Sequence, residues 1–460
     1  MIPAALVGVW AAQAVAAPER TWVPATPLGE PAHYFLVVSK GSDGRIGAFI
    51  RNPEFNSGSA LGMLFDLPAP APDGTLHLER ASVDGGPLTF HRPNGAELRW
   101  FYPRPQSTWQ YRAPERLADG WSVGTLATAA MREAPLSQAI DGIVAMRAPA
   151  LRSPYIQSIS VARHGRLVLD EYFYGFTADT PHDTRSAAKS VATLMVGRAI
   201  EDTRRFTPQS RVRSLLASYL PIRNDDARKA AMSVADLMTM ASGLACNDND
   251  DSSPGNEETM QNQPAGTNWY RYTLGLPMTS LPGTTAVYCS AGINLLGAIV
   301  AAETHEQIAS YFADRFAAPM QFGRYAMWLM PPPANEAYLG GGDYIRPRDF
   351  LKFGELLLDA GAWHGTRIVA SSWIAESILP RTEPQGEGDR YGYGWHLTTL
   401  AVDGKSYDVV NAGGNGGQLM IVVPKLDLAI MITAGNYNQY PVWRTFLPQV
   451  TSAAIRSCAQ

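Results

Sequence analysis

The sequence predicts an α+β fold: an antiparallel sheet flanked by helices, an adjoining all-α region, and an additional N-terminal antiparallel β domain. Three observations support this prediction. Short alternating apolar stretches broken by glycine turns fill most of residues 18–124. Two further strands lead into a long stretch of helices and loops, and apolar, β-branched strands return only near the C terminus. Strands at both ends with helices between them indicate one sheet built from distant segments.

The composition is that of a globular protein with a large core. The chain has 460 residues, of which 46% are hydrophobic, with 41 glycines and 34 prolines, as expected for two or three domains with many turns. The net charge is -4 and the basic residues are scattered, so nothing favours nucleic acid or an anionic membrane as a partner. We expect a small-molecule partner, and the sequence makes no prediction of oligomeric state.

Residues 1–17 form an apolar run that ends in the small residues Ala14, Ala16 and Ala17 around Val15. This ending fits a signal-peptide cleavage site, although no lysine or arginine precedes the run. The run is shorter than the roughly 20 residues that span a bilayer. We therefore predict a signal peptide and an exported protein, periplasmic or secreted, with no integral membrane span.

The predicted N-terminal domain, residues 18–124, has the pattern of β-hairpins. Period-two stretches separated by glycine-containing turns are typical of antiparallel strands, and they occupy residues 34–38, 45–51, 75–83, 87–92 and 96–102. This region contains no chemical motif.

Residues 125–460 form the second predicted domain. A helix is predicted at 135–146, followed by strands at 158–163 and 166–173 that His164 and Gly165 join in a tight turn. The other predicted helices are at residues 186–200, 234–240, 291–304, 347–360 and 442–458. The other predicted strands are at residues 408–414, 418–424 and 428–435.

Ser186 and Lys189 form the first candidate catalytic pair. Among six lysines, only Lys189 has a serine three residues before it. Three residues are close to one helical turn, so both side chains project from one face at a helix N-terminus. The following segment is apolar nearly all round, and burial there lowers a lysine pKa until its neutral amine can accept the serine proton. The alternative is a lysine that reaches solvent beside a capping serine.

Two later segments could complete the site. Tyr288, followed by Ser290 and an apolar helix, could move a proton between nucleophile and leaving group. Glycine-rich residues 411–418 lie between two apolar strands, where a backbone N–H could join that of Ser186 in an oxyanion hole. Taken alone, the first could be a packing tyrosine and the second a flexible hairpin loop.

In this order and spacing the three segments resemble serine hydrolases of the class C β-lactamase and penicillin-binding-protein type, whose pattern is SxxK, YxN or YxS, and KTG. The resemblance covers residues 125–460 and is closest to the esterase and 6-aminohexanoate-dimer-hydrolase branch. The stretches TPHDTRSAAKS, PGTTAVYCSAG, GGGDYIRPRDFLKFG, RYGYGWH and GNGGQLMIVVPKLDLAIMITAG carry it. It implies a β-lactamase/transpeptidase-like sheet and a serine hydrolase that needs no metal or cofactor.

The resemblance also implies roles for individual residues. Ser186 is the acyl-forming nucleophile, Lys189 its activating partner and Tyr288 the general acid/base. Asn411 to Gly413 stand at the KTG position without a basic residue, which favours neutral ester or amide substrates over β-lactams or peptidoglycan peptides. The oxyanion donor is Gly414 or Asn415. Expected substrate-lining residues are Ser290, Tyr344, Tyr393 and Trp395, each of which could instead be a packing residue.

Several other features of the sequence have alternative interpretations. Cys246 and Cys289 are a possible disulfide in an exported protein, and three buried thiols, with Cys458, are the alternative. Gly120 to Gly124 match the GxSxG string at Ser122, yet no strand precedes it. The acidic residues 247–251 lack calcium-loop spacing and are interpreted as a solvated loop near the cleft. A binding protein that keeps the hydrolase fold without turnover is the non-enzymatic alternative.

Overall fold

We describe a computed structural model of the chain, over residues 21–24, 35–40, 46–51, 69–78, 88–94, 102–104, 108–146 and 153–458. The predicted signal peptide at 1–17 lies outside these residues, as does the predicted strand at 96–102 except for its last residue.

Five short strands near the N terminus form a sheet of their own in the order β3-β2-β1-β5-β4, with every neighbouring pair antiparallel. The hairpins predicted from the turns are present as β2–β3 and β4–β5, and β1 joins them. The strands are β1 (Thr21–Pro24), β2 (Phe35–Lys40), β3 (Ile46–Arg51), β4 (Leu76–Leu78) and β5 (Leu88–His91).

The remaining described strands are, in chain order, β6 (Ser122–Val123), β7 (Ile156–Arg163), β8 (Arg166–Tyr172), β9 (His182–Asp183), β10 (Tyr325–Ala326), β11 (Tyr344–Ile345), β12 (Ala362–Trp363), β13 (Thr366–Arg367), β14 (Arg390–Tyr391), β15 (His396–Val402), β16 (Lys405–Gly414), β17 (Gln418–Val423) and β18 (Leu428–Ala434).

The described helices are α1 (Glu133–Val144), α2 (Ala188–Thr203), α3 (Val212–Leu215), α4 (Val234–Met238), α5 (Glu257–Gln261), α6 (Trp269–Leu274), α7 (Ser290–Thr304), α8 (Ile308–Phe312), α9 (Pro347–Leu358), α10 (Ser371–Ser377) and α11 (Tyr440–Ser457). Within the described part of the chain, none of them is both long enough and apolar enough to cross a membrane.

An eight-stranded sheet forms the centre of the larger part of the chain, in the order β14-β15-β16-β17-β18-β7-β8-β6. C-terminal β18 pairs with β7, so the sheet is built from distant segments, as predicted. The pairing is antiparallel except at the edge, where β6 runs parallel to β8. Because β6 lies within residues 18–124, the segment assigned to the N-terminal domain reaches this sheet, and the division of the chain into domains stays a prediction.

The sheet is buried on both faces because its strands are apolar at successive positions. In β17, Met420 and Val422 belong to the core on the side of α2, α7 and α9, while Ile421 and Val423 belong to the core on the side of α1 and α11. Side chains alternate between the faces of a strand, so a strand that is apolar throughout must be covered twice. The sheet is therefore a middle layer between two helical layers.

The β7–β8 hairpin has the predicted two-residue turn. His164 and Gly165 have φ angles of 53° and 68°, the left-handed values that a type I′ turn requires at both central positions. Glycine adopts this region without a steric cost.

A group of buried ion pairs ties the segment before β6 to α9. The Arg348 side chain is fully buried and lies 3.1 Å from a carboxylate oxygen of Asp170 and 2.5 Å from one of Asp119. Both carboxylates are also nearly inaccessible. Removing one member of such a group leaves an uncompensated buried charge, which is strongly destabilising.

Substitution of Arg348 by methionine tests this link. We expect the free energy of unfolding to fall by about 3–5 kcal/mol, because Asp119 and Asp170 lose their common counter-charge. Chemical denaturation followed by tryptophan fluorescence measures the change. Arg456→Met is the matched control, since Arg456 pairs with Asp403 at the exposed surface and should cost no more than about 1 kcal/mol. Equal losses in the two variants would contradict the assignment.

Candidate active site

Ser186 lies in a single 3-10 turn, Arg185–Ala187, directly before α2. The preceding strand β9 pairs with β11, and the backbone N–H and the hydroxyl of Thr184 both donate to the Asp343 carbonyl oxygen at 2.8 Å. These bonds fix the chain on the N-terminal side of the serine, while the buried helix fixes it on the other side. The Ser186 side chain is left half-exposed.

The residue before the serine has an unusual backbone conformation. Arg185 has a φ of 47°, a region that side-chain-bearing residues enter only when the surrounding structure holds them there. Asp183 supplies that restraint, because its carboxylate accepts from the Arg185 backbone N–H at 2.8 Å and pairs with the guanidinium at 2.9 Å. The turn that presents Ser186 is thus held by a local ion pair.

Lys189 is on the first turn of α2, and 1% of it is exposed. Its Nζ donates to Ser186 Oγ at 2.7 Å and to the Gly340 carbonyl oxygen at 2.5 Å. Burial lowers the pKa of Lys189 from its ordinary value, because desolvation disfavours the ammonium form. A lysine in this setting can accept the proton of the serine hydroxyl.

Carboxylates around the cleft oppose that shift. Glu257, Asp248 and Glu387 each raise the Lys189 pKa, in that order of influence, while the Arg185 guanidinium lowers it slightly. Burial remains the larger effect. The Lys189 pKa is therefore lowered by burial and partly restored by neighbouring carboxylates.

Tyr288 reaches the same hydroxyl from the loop before α7. Its phenol lies close enough to the Ser186 side chain for that hydroxyl to lower the phenol pKa, and Lys189 Nζ lies 5.0 Å from the centre of its ring. Burial has the larger effect and raises the pKa of Tyr288 well above its usual value. The phenol therefore stays protonated near neutral pH and can pass a proton on while receiving one. The three predicted groups meet at one hydroxyl.

His396 packs behind the tyrosine and was not among the predicted site residues. Its ring stacks on Tyr288 at a centroid distance of 6.2 Å and meets Tyr391 edge to face at 4.8 Å. Its Nδ1 lies 3.0 Å from an Asp389 carboxylate oxygen, which fixes the ring orientation. His396 is the last residue of the RYGYGWH stretch, of which only Tyr393 and Trp395 were predicted to line the site.

The glycine-rich segment lies against the nucleophile turn at Gly414. A Cβ at Gly414 would come 2.4 Å from the Thr184 carbonyl oxygen and 3.2 Å from the Ala187 nitrogen, whereas one at Gly413 would meet only Leu419, at 4.0 Å. Of the two donors left open by the sequence, Gly414 is therefore next to the Ser186 turn. The Asn415 side-chain amide pairs with Asn438, and the Asn411 side-chain amide donates to the His396 carbonyl oxygen.

Three of the predicted substrate-lining residues are inaccessible to solvent. Ser290 is fully buried and its hydroxyl donates to Asp248. Tyr393 and Trp395 are fully buried in the core that contains α2, so neither faces an open pocket. Between them, Gly394 has a φ of 73°, and a Cβ there would come 2.6 Å from the Thr193 side chain of α2, so this position requires glycine. Tyr344 is half-buried and lies in β11, which pairs with β9, the strand before the Ser186 turn.

The structure also shows where the cysteines, the GxSxG match and the acidic stretch lie. Cys246 and Cys289 form a disulfide with a Cα–Cα distance of 5.4 Å, and Cys458 is a buried thiol.

Ser122 lies in β6 at the sheet edge and not on a strand-to-helix turn, so the GxSxG match has none of the geometry it requires. In the acidic stretch, Asp250 is exposed as predicted, whereas Asp248 bonds with the interior. The described residues contain no group of three His, Cys, Asp or Glu side chains placed to hold a metal.

This sheet and its two helical layers, with the nucleophile turn between them, are the β-lactamase/transpeptidase fold. Residues 138–441, more than half of the chain, match the β-lactamase family. The chain belongs to that family.

Individual relatives cover several activities. The chain is 25% identical over 291 residues to a 6-aminohexanoate-dimer hydrolase from Paenarthrobacter ureafaciens, spanning 59% of this chain and 71% of the relative. A solved family VIII carboxylesterase has a TM-score of 0.53 at 18% identity, covering 73% of this chain and 99% of the other. A penicillin-binding protein homologue from Caulobacter crescentus has a TM-score of 0.54 at 12% identity, with the same coverage. These two structures establish the fold alone.

Alanine substitutions at the two neighbouring glycines test the oxyanion assignment. In Gly414→Ala, the new methyl group and the Thr184 carbonyl cannot both keep their places, so the strand must move away from the nucleophile turn. We expect kcat to fall about 100-fold, the lower end of the effect of losing one oxyanion donor. Gly413→Ala is the matched comparison and should lose far less. Steady-state kinetics on an activated ester measures both, and equal losses would contradict the assignment.

Proposed function

We propose that the protein is a serine hydrolase that cleaves ester or amide bonds of small neutral molecules through an acyl-enzyme on Ser186. The observation that carries this proposal is the hydrogen bond from Lys189 Nζ to the Ser186 hydroxyl, with the Tyr288 ring 5.0 Å from the same amine. A non-catalytic binding protein would have no use for a buried, partly desolvated amine at that hydroxyl.

The reaction follows from the geometry in two half-reactions. Ser186 Oγ attacks the substrate carbonyl carbon as its proton passes to neutral Lys189, and the carbonyl oxygen becomes an anion that the N–H groups of Ser186 and Gly414 bind. The bond to the leaving group then breaks, and Tyr288 delivers a proton to the departing oxygen or nitrogen while Lys189 replenishes it. Water attacks the acyl-enzyme by the reverse proton route and releases the acid.

The charges in the cleft favour neutral substrates. At the KTG position the chain has Asn411, and three carboxylates, Asp248, Glu257 and Glu387, influence Lys189. A substrate carboxylate, which β-lactams and peptidoglycan peptides carry, would find no basic residue at the KTG position to pair with. This supports esters and amides without a carboxylate near the scissile bond.

Export of the protein remains part of the proposal. The apolar N-terminal run supports it, as does the Cys246–Cys289 disulfide, because disulfides persist in oxidising compartments such as the periplasm.

A panel of three substrates tests the proposed function. We expect turnover of a short-chain nitrophenyl ester or of a linear amide dimer, little turnover of nitrocefin, and loss of all activity in Ser186→Ala at unchanged thermal stability. Fast nitrocefin hydrolysis would contradict the preference for neutral substrates. No Ser186-dependent turnover of any of the three would favour the binding-protein alternative.

The pH dependence of the same reaction tests the role of Lys189. Because the neutral amine is the active form, kcat/KM should rise with pH up to the Lys189 pKa, which burial places below the ordinary lysine value, and then level off. Lys189→Arg should abolish this rise together with most of the activity, since arginine does not lose its proton. A rate that falls as pH rises through this range would contradict the assignment of Lys189 as the base.

A further inference from the structure

Asp248 is the member of the acidic stretch that turns inward. Its carboxylate accepts three hydrogen bonds, from the Ser290 hydroxyl at 2.6 Å, the Ser290 backbone N–H at 2.7 Å and the Glu257 backbone N–H at 3.1 Å. Asp250, two residues on, is exposed, and its carboxylate accepts hydrogen bonds from the Ser252 backbone N–H and hydroxyl. Two aspartates of one loop therefore have different surroundings.

The Asp248 loop is attached to the tyrosine segment at three successive residues. The Asp248 backbone N–H donates to the Tyr288 carbonyl oxygen at 3.0 Å. Cys246 is disulfide-bonded to Cys289, and the Asp248 side chain holds Ser290 at the start of α7. The backbone on the C-terminal side of the phenol is thus fixed by one loop about 40 residues earlier in the chain.

The same carboxylate acts on the reacting groups by its charge. Negative charge at Asp248 stabilises the Lys189 ammonium and disfavours ionisation of Tyr288. Burial raises the pKa of Asp248 to about 7, with Lys189 lowering it and Glu257 raising it. The carboxylate therefore changes charge near neutral pH. The other groups that act on Lys189 are Glu257, Glu387 and Arg185.

We propose that Asp248 is a positioning residue of the active site, which holds Tyr288 through Ser290 and the backbone and whose negative charge stabilises the Lys189 ammonium. The kinetic consequence rests on the proposed function, because it requires Lys189 to act as the base. The electrostatic consequence does not, since it concerns only the proton on the amine.

Removing the charge without changing the shape tests the electrostatic part. In Asp248→Asn we expect the Lys189 pKa to fall by about one pH unit, the lower end of what a nearby opposite charge contributes, and the acid limb of kcat/KM to move to lower pH by the same amount. NMR of lysines labelled at Cε measures the first quantity without any need for activity. The chain has six lysines, and Lys189→Arg assigns the signal.

Asp250→Asn is the matched control, because it removes the same charge from the same loop at an exposed position. It should leave both the Lys189 titration and the pH profile unchanged. If Asp248→Asn behaves like Asp250→Asn in the lysine titration, the electrostatic role of Asp248 is wrong.

Ser290→Ala tests the positioning part and keeps the carboxylate. We expect kcat to fall about tenfold, as for loss of one hydrogen bond to a charged group, with KM within about twofold. A variant that lowers only the thermal midpoint and leaves kcat intact would overturn this part. If the unmodified protein shows no turnover, the proposed function fails, while the lysine titration still decides whether Asp248 acts on Lys189.

Discussion

The rest of the site depends on the burial of one amine. Lys189 is 1% exposed on a helix whose residues are nearly all buried, and its hydrogen-bond acceptors are the Ser186 hydroxyl and the Gly340 carbonyl. Because a protein interior disfavours an ammonium ion, the amine holds its proton less tightly there than in water. The two-layered core around the sheet is thus a condition of the chemistry as well as of stability.

The second requirement is that segments far apart in sequence meet at that amine. Tyr288 comes from the loop before α7, and Gly414 from the end of a central strand. Each is fixed by its own restraint: a disulfide and Asp248 hold the tyrosine segment, and close packing against the nucleophile turn holds the glycine. Restraint of this kind keeps reacting groups in place before substrate arrives.

The sequence was most informative where a local pattern determines the structure. Apolar runs and turn residues predicted the strands and the hairpin at His164, and the three-residue spacing predicted the Ser186 and Lys189 pair. Burial and charge were harder, because they depend on contacts between distant segments. Aromatic residues such as Trp395 were expected at the pocket and lie in the core. Asp248 was interpreted as part of a solvated loop, since nothing local shows that Ser290 bonds to its carboxylate.

The central claim is that Ser186 is the reactive nucleophile because Lys189 and Tyr288 act on it together. Mass spectrometry of the intact protein after treatment with a fluorophosphonate probe tests this most directly. We predict one covalent adduct, mapped by peptide digestion to Ser186, with labelling greatly slowed in Lys189→Ala and Tyr288→Phe. An unlabelled protein, an adduct at another serine such as Ser122, or labelling at full rate in both variants would contradict the account.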